Sequence, residues 1–160
     1  MVTKAVLAPA KKEKTMAVMS LEELSEKMRK IDFCMLSTQQ GTGGLTTRPM
    51  SNNGDVEYDG DSWFFSYEAT RKVEAIRQNP QTSISLSAPP SLLGKPGIFI
   101  VINGEASIIK DRAQFEKHWV PDLERWFEDG VDTPGLVLIK VHASRIEYWD
   151  GEDNEVIAVP

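Results

Sequence analysis

The segment Ser66-Tyr-Glu-Ala-Thr-Arg-Lys-Val-Glu-Ala-Ile-Arg-Gln-Asn-Pro80 sets Thr70, Arg71 and Lys72 together, where the aromatic run Trp63-Phe64-Phe65 gives way to a helical pattern. Two cations on the opening turn of a helix oppose the macrodipole, which favours carboxylates there. A bound anion removes the conflict. Thr70 as N-cap, the unpaired N–H groups of the first turn and the two side-chain cations are the donors that an organic phosphate needs. A capped surface helix with two solvated charges is the commoner arrangement, and this segment alone leaves both readings open. Arg48, in Thr46-Thr-Arg-Pro-Met50, adds a third cation. Pro49 removes a ladder donor, so this stretch belongs at a sheet edge or bulge, where backbone groups stay free for a flat polar ligand. For Arg48, too, an ordinary surface salt bridge is the competing reading.

Other chemistry finds less support. His118 and His142 are the only histidines, without metal-ligand spacing. Cys34 is the only cysteine, so there is no intrachain disulfide, and the apolar run Phe33-Cys-Met-Leu36 makes it a buried small hydrophobe. There is no Gly-x-Ser-x-Gly elbow, and Gly41-Thr-Gly-Gly44 lacks the Lys-Ser/Thr of a phosphate-binding loop. The net charge of −6 argues against a general nucleic-acid binder. No apolar run approaches membrane-spanning length. The basic run Lys11-Lys-Glu-Lys14 follows the apolar residues at the N-terminus, the reverse of a secretory signal. These features lead us to expect a cytoplasmic protein with no membrane or nucleic-acid partner and no metal.

The elements that must position the cations follow from local patterns. Residues 1–18 read as a mobile tail, and residues 19–160 as one domain. Ser20-Leu-Glu-Glu23 is a capping box, and Leu21, Leu24, Met28 and Ile31 recur at helical spacing. Strands are expected at Phe33–Thr38 and Leu45–Ser51 as a hairpin, then at Trp63–Tyr67, Thr82–Ala88, Ile98–Ile109 with a bulge at Gly104, and Leu136–Trp149, with a short tail strand after Gly151. A helix is expected from Arg71 to about Gln78, stopped by Asn79-Pro80. A second opens at Asp111, and a further short helix spans Asp122–Phe127. Hairpins and short loops with few helices predict a mainly β fold, an antiparallel barrel with peripheral helices. Of the four tryptophans, Trp63 reads as core, whereas Trp119 and Trp126 sit in the broken, polar-flanked "HWVPDLERWF", where indoles cover a flat ligand or a partner, or simply pack.

Taken together, "WFFSYEATRKVEAIRQNPQTSISL", "TTRPM", Gly104-Glu-Ala106, "HWVPDLERWFEDGVDTPGL" and "IEYWDG" resemble, in order, the pyridoxamine 5′-phosphate oxidase-like, FMN-binding split-barrel superfamily, in its general stress protein 26 branch. The resemblance covers about residues 19 to 150. It implies a six-stranded split β-barrel and a homodimer with two FMN sites at the subunit interface. By the same resemblance, Arg48, Arg71 and Lys72 face the FMN phosphate, with Ser66 and Thr70 as hydroxyl donors. The chain at Arg48, Pro49, Met50, Phe64 and Phe65 then borders the flavin, Trp149 approaches it across the interface, and Trp119 and Trp126 cover the ring. The true oxidases end in an Arg-Leu-His-Asp-Arg motif. Here Asn154-Glu-Val-Ile-Ala-Val-Pro160 carries neither Arg nor His, and Phe99 stands near a position where oxidases use glutamine. The resemblance therefore implies a flavin-dependent oxidoreductase of unidentified substrate that does not oxidise pyridoxamine phosphate. The alternative is a non-catalytic protein that sequesters or senses FMN. A deazaflavin, a haem using His118, or a pocket filled by tryptophans would alter the cofactor assignment.

Overall fold

The computed structural model describes residues 18–151 and 153–159. The expected tail lies, through residue 17, outside them. Helix α1 (Leu21–Met28) begins with the predicted box: the Ser20 hydroxyl accepts from the Glu23 N–H, and the Glu23 carboxylate accepts from the Ser20 N–H. Its Leu24 and Met28 turn inward. The chain continues through β1 (Phe33–Gln39), β2 (Leu45–Ser51), β3 (Asp61–Tyr67), α2 (Arg71–Gln78), β4 (Gln81–Ala88), β5 (Ile98–Ile109) and α3 (Arg112–His118). Two 3-10 helices (Pro121–Arg125 and Gly130–Asp132), β6 (Leu136–Asp150) and β7 (Asp153–Ala158) complete it. The helix expected at Asp122–Phe127 is therefore a tighter 3-10 turn with Pro121 at its start, where a missing N–H costs no bond.

All pairings are antiparallel, in the order β2-β1-β4-β5-β6-β3, and β7 shares the second edge of β6 with β3. Inward positions alternate along β4 and β5, where Ile84, Leu86, Ile100 and Ile102 are almost wholly buried. Burying each such side chain contributes about 1.5–3 kcal/mol. The main core lies inside the curled sheet, with Val73 and Ile76 of α2 and Leu24 and Met28 of α1 packed onto it. A second cluster, Phe65, Phe115, Phe127, Leu136 and Leu138, joins β3 and β6 to α3 and the turns after it.

Two features make the sheet curl and stop. Between Asn103/Arg145 and Gly104/Ala143 the register shifts, leaving Ser144 as an extra residue that donates to the Asn103 carbonyl. A Cβ on Gly104 would collide with the carbonyl of His142, so the approach needs glycine. At the ends of the strand order, β2 and β3 carry no ladder between them, so the barrel is split there. Gly104→Ala should lower stability by about 1–3 kcal/mol through overpacking at the bulge. A urea unfolding midpoint unchanged from wild type would show that the bulge has another origin.

Candidate functional site

The split between β2 and β3 opens into a cleft of about 540 Å³, a size ordinary for a small-molecule site. Its β2 wall is Pro49, Met50 and Ser51, and its β3 wall is Trp63 through Tyr67. Pro49 stands on the edge strand, as its missing donor requires. Among the twelve residues singled out from the sequence, Pro49, Met50, Phe64, Phe65, Ser66, Lys72 and Trp126 line this one cleft.

The strand directions set its polarity. β2 and β3 run oppositely through the chain of antiparallel pairings. One end therefore holds the close of β3, Ser66 and the opening turn of α2. The other holds the close of β2 and the loop Asn52–Asp55. At the first end Lys72 is half-buried, and its pKa is lowered by burial and then by the nearby charge of Arg48. Arg48 is held by its guanidinium donating to the Leu36 carbonyl at 3.0 Å, and burial lowers its pKa as well. Neither cation, nor the exposed Arg71, forms an ion pair with a described carboxylate. Two neighbouring, partly desolvated cations without an acid constitute a standing repulsion that an anion relieves.

Thr70 holds the N-cap position of α2, but its hydroxyl donates to the Tyr67 carbonyl at 2.9 Å instead of capping the first turn. The orphan N–H groups there keep their capacity for another acceptor. Ser66 is buried beside it, with its oxygen 3.5 Å from that of Thr70.

The remaining aromatics divide. Trp126, 53% exposed, lines the cleft. Trp119 packs edge-on against Phe65 and Phe127 and supports the β3 wall from behind. Trp149 lies on β6 opposite Phe99 and Asn154, away from the cleft of its own chain. Trp63, expected in the core, lines the cleft and stacks on the buried His118 ring at 3.7 Å. His142 is exposed on β6 and bonds Asp61. Cys34 is buried, which pushes its thiol up to about 12 and leaves it inert. No group of three or more described His, Cys, Asp or Glu residues could hold a metal ion. None of the described helices is long and apolar enough to cross a membrane.

The cleft also includes residues that the motif reading did not single out: Asp32, Phe33 and the Asn52-Asn-Gly-Asp55 turn. Asn52 fixes that turn by donating to the Met28 and Ile31 carbonyls at 2.9 and 2.8 Å, closing the C-terminal end of α1. The available signal was a polar turn directly after an edge strand containing proline.

Residues 19–159 match the family model described as pyridoxamine 5′-phosphate oxidase like. General stress protein 26 of Bacillus subtilis is 29% identical over 90 residues, covering 56% of this chain and 62% of its own length. Protein bli-3 of Neurospora crassa is 26% identical over 145 residues, covering 85% of this chain and 67% of its own. The chain thus spans about two thirds of the length of these curated relatives. A protein from Clostridium acetobutylicum, described as related to general stress protein 26 of B. subtilis, superposes with a TM-score of 0.71 at 20% identity, over 87% of this chain and 94% of that one.

Because Lys72 is a cation that its surroundings disfavour, Lys72→Met should leave the thermal midpoint of the ligand-free protein unchanged or raise it by about 1–2 °C. A clear fall would show that the charge supports the fold. The sign with pH agrees. A folded-state pKa below the unfolded one means that the charged lysine opposes folding below the folded pKa, and the opposition fades as pH rises through it.

Proposed function

The chain belongs to the pyridoxamine 5′-phosphate oxidase-like family, and from that premise we propose that it binds FMN in the cleft between β2 and β3. The single observation carrying this reading is a cation couple at one end of the cleft, where Lys72 lines the wall, Arg48 lies close enough for its charge to act on it, and neither pairs with a described carboxylate. The residues present fit the group. Lys72, Arg48, Arg71 and the first-turn amides of α2 would hold the phosphate, with Ser66 and Thr70 beside them. Pro49, Met50, Phe64 and Phe65 would flank the ring, with the free edges of both strands offering backbone donors and acceptors. Trp126, which lines the cleft, would cover the ring. When bound, the flavin supplies hydride transfer chemistry, and the protein contributes placement, charge and exclusion of water.

A homodimer completes this reading. Cross-strand register places Pro49, Met35, Ser85, Val101, Glu147 and Val156 in one row across six strands of the sheet's outer face. The row beside it carries Phe33, Phe99 and Trp149, which are 54%, 58% and 36% exposed. Large apolar side chains exposed together on one sheet face favour a contact surface there. It runs directly into the cleft, since Phe33 and Pro49 belong to both. A second copy on this face under two-fold symmetry would bring its own Phe99 and Trp149 toward the flavin.

The apolar middle of the cleft holds no acid or base placed for proton transfer, which favours two readings of the activity: chemistry borne wholly by the flavin, or binding without turnover. Reduction of the bound flavin by a nicotinamide donor separates them. Pyridoxamine phosphate is not the substrate in this reading, because the tail Asn154–Pro160 carries neither Arg nor His to hold its phosphate.

Titration of the purified protein should show saturable FMN binding, with riboflavin at least about tenfold weaker. Arg48→Ala with Lys72→Ala should erase that difference. Equal affinity for the two flavins in wild type would overturn the phosphate site. Pyridoxamine 5′-phosphate should give no turnover in the FMN-loaded protein. Phe99→Glu should shift the scattering mass to a monomer and weaken FMN binding. A dimer with wild-type affinity would place the interface elsewhere.

A further inference from the structure

His118 is the last residue of α3 and is buried outside the cleft lining, yet two of its groups engage residues that belong to that lining. Its imidazole stacks on the Trp63 indole of β3, with ring centroids 3.7 Å apart and planes 18° from parallel. Its carbonyl accepts from the Asn53 amide at 3.4 Å, in the turn that continues β2. One residue thus joins the β3 wall to the turn beyond the β2 wall. No ladder runs between those two strands, so their spacing depends in part on contacts of this kind.

The stack carries a chemical condition. The ring nitrogen Nε2 is buried and has no hydrogen-bond partner among the described residues. A neutral imidazole bears this at modest cost, whereas an imidazolium buries a positive charge with an unanswered N–H. Charged groups face the ring from each neighbouring element. Lys117 on α3 and Lys140 on β6 oppose a further cation, while Asp59 and Asp61 favour one. Asp61 is already engaged, pairing with Lys140 at 2.9 Å and bonding the exposed His142 at 2.7 Å. A cation over an indole is ordinarily attractive, but Trp63 already has one, the Lys140 ammonium lying 5.3 Å from its ring centroid. Burial dominates the balance, followed by Lys117, and His118 is held below its ordinary pKa.

We propose that His118 is a positioning residue for Trp63: its neutral ring seats the indole in the cleft wall, and its protonation unseats it, so that the cleft binds its ligand more weakly in acid. The inference rests on the reading that this ligand is FMN. The sign follows from linkage. Unstacked, the imidazole takes its proton at about pH 6.5; stacked, it resists until a lower pH. Acid therefore favours the unstacked state increasingly across that interval, and above it the stack is unopposed.

The chain has only two histidines, so their ring Cε1–H signals can be followed by NMR from about pH 8 to about pH 5, with His142→Asn assigning them. Without ligand, the His118 signal should titrate below the range of an exposed histidine, and the Trp63 indole N–H should move at the same midpoint. Protonation and binding affect one another equally, so saturating FMN should lower that midpoint further. His118→Phe keeps a flat ring and removes the charge. The FMN phosphate itself gains a proton at about pH 6, which weakens binding to both proteins alike. Beyond that shared loss, wild type should lose about threefold or more in FMN affinity across the range, and His118→Phe should not. A His118 midpoint that FMN leaves unchanged or raises, or a Trp63 signal that does not follow it, would overturn the proposal. If His118→Phe does not fold, the midpoints of the wild-type protein still decide. Absence of FMN binding at every pH would instead overturn the cofactor reading and the ligand half of the proposal, while the shared midpoint of His118 and Trp63 still tests the stack.

Discussion

The hydrogen bonds that β2 and β3 do not make with one another determine most of what this protein can do. A curled sheet of this size gains by closing, because closure pairs every edge. Here Pro49 withholds a donor on one edge, and the bulge at Ser144 and Gly104 bends the β5–β6 ladder, onto whose β6 the other edge strand, β3, is paired. The two edges therefore face each other across a gap of ligand size. The unpaired backbone groups would be a liability on a flat sheet. Inside a cleft they are a lining.

The electrostatics of the cleft follow from where helices begin and end. α2 starts as β3 finishes, and α1 finishes as the loop after β2 begins. One helix thus offers its positive end and the other its negative end to opposite ends of the same gap. Side chains strengthen both: Lys72 and Arg48 on one side, Asp32 and Asp55 on the other. Asn52 makes this durable, since its two bonds to α1 carbonyls fix the loop that carries Asn53 and Asp55. The second aromatic cluster performs the matching service for β3, with Trp119 and Phe127 bracing Phe65.

Features governed by neighbours in sequence were legible in the residues. The Ser20–Glu23 box, the span Arg71–Gln78 and the Gly104 bulge depend on local spacing, and each stands as expected. Features governed by long-range packing were not. Nothing in the pattern around Thr70 indicates that its hydroxyl turns back to the Tyr67 carbonyl, because both bonds satisfy the same group at similar cost. Trp119 and Trp126 share one polar-flanked segment, yet one braces the core and the other borders the cleft. The Pro121 turn between them decides which way each faces. Asp32 and Asp55 stand more than twenty residues apart, and only the meeting of α1 with the Asn52 loop places them at one end of the cleft.

The couple formed by Lys72 and Arg48 bears on the life of the chain as well as on its ligand. An anion that neutralises both stabilises the folded state by mass action, in proportion to its concentration over its dissociation constant. Protein made when that anion is scarce keeps its repulsion, opens more often, and is exposed to proteolysis for longer. If those two side chains hold a phosphate, they would therefore couple the abundance of this protein to the supply of what it binds, and scarcity would be converted into faster turnover.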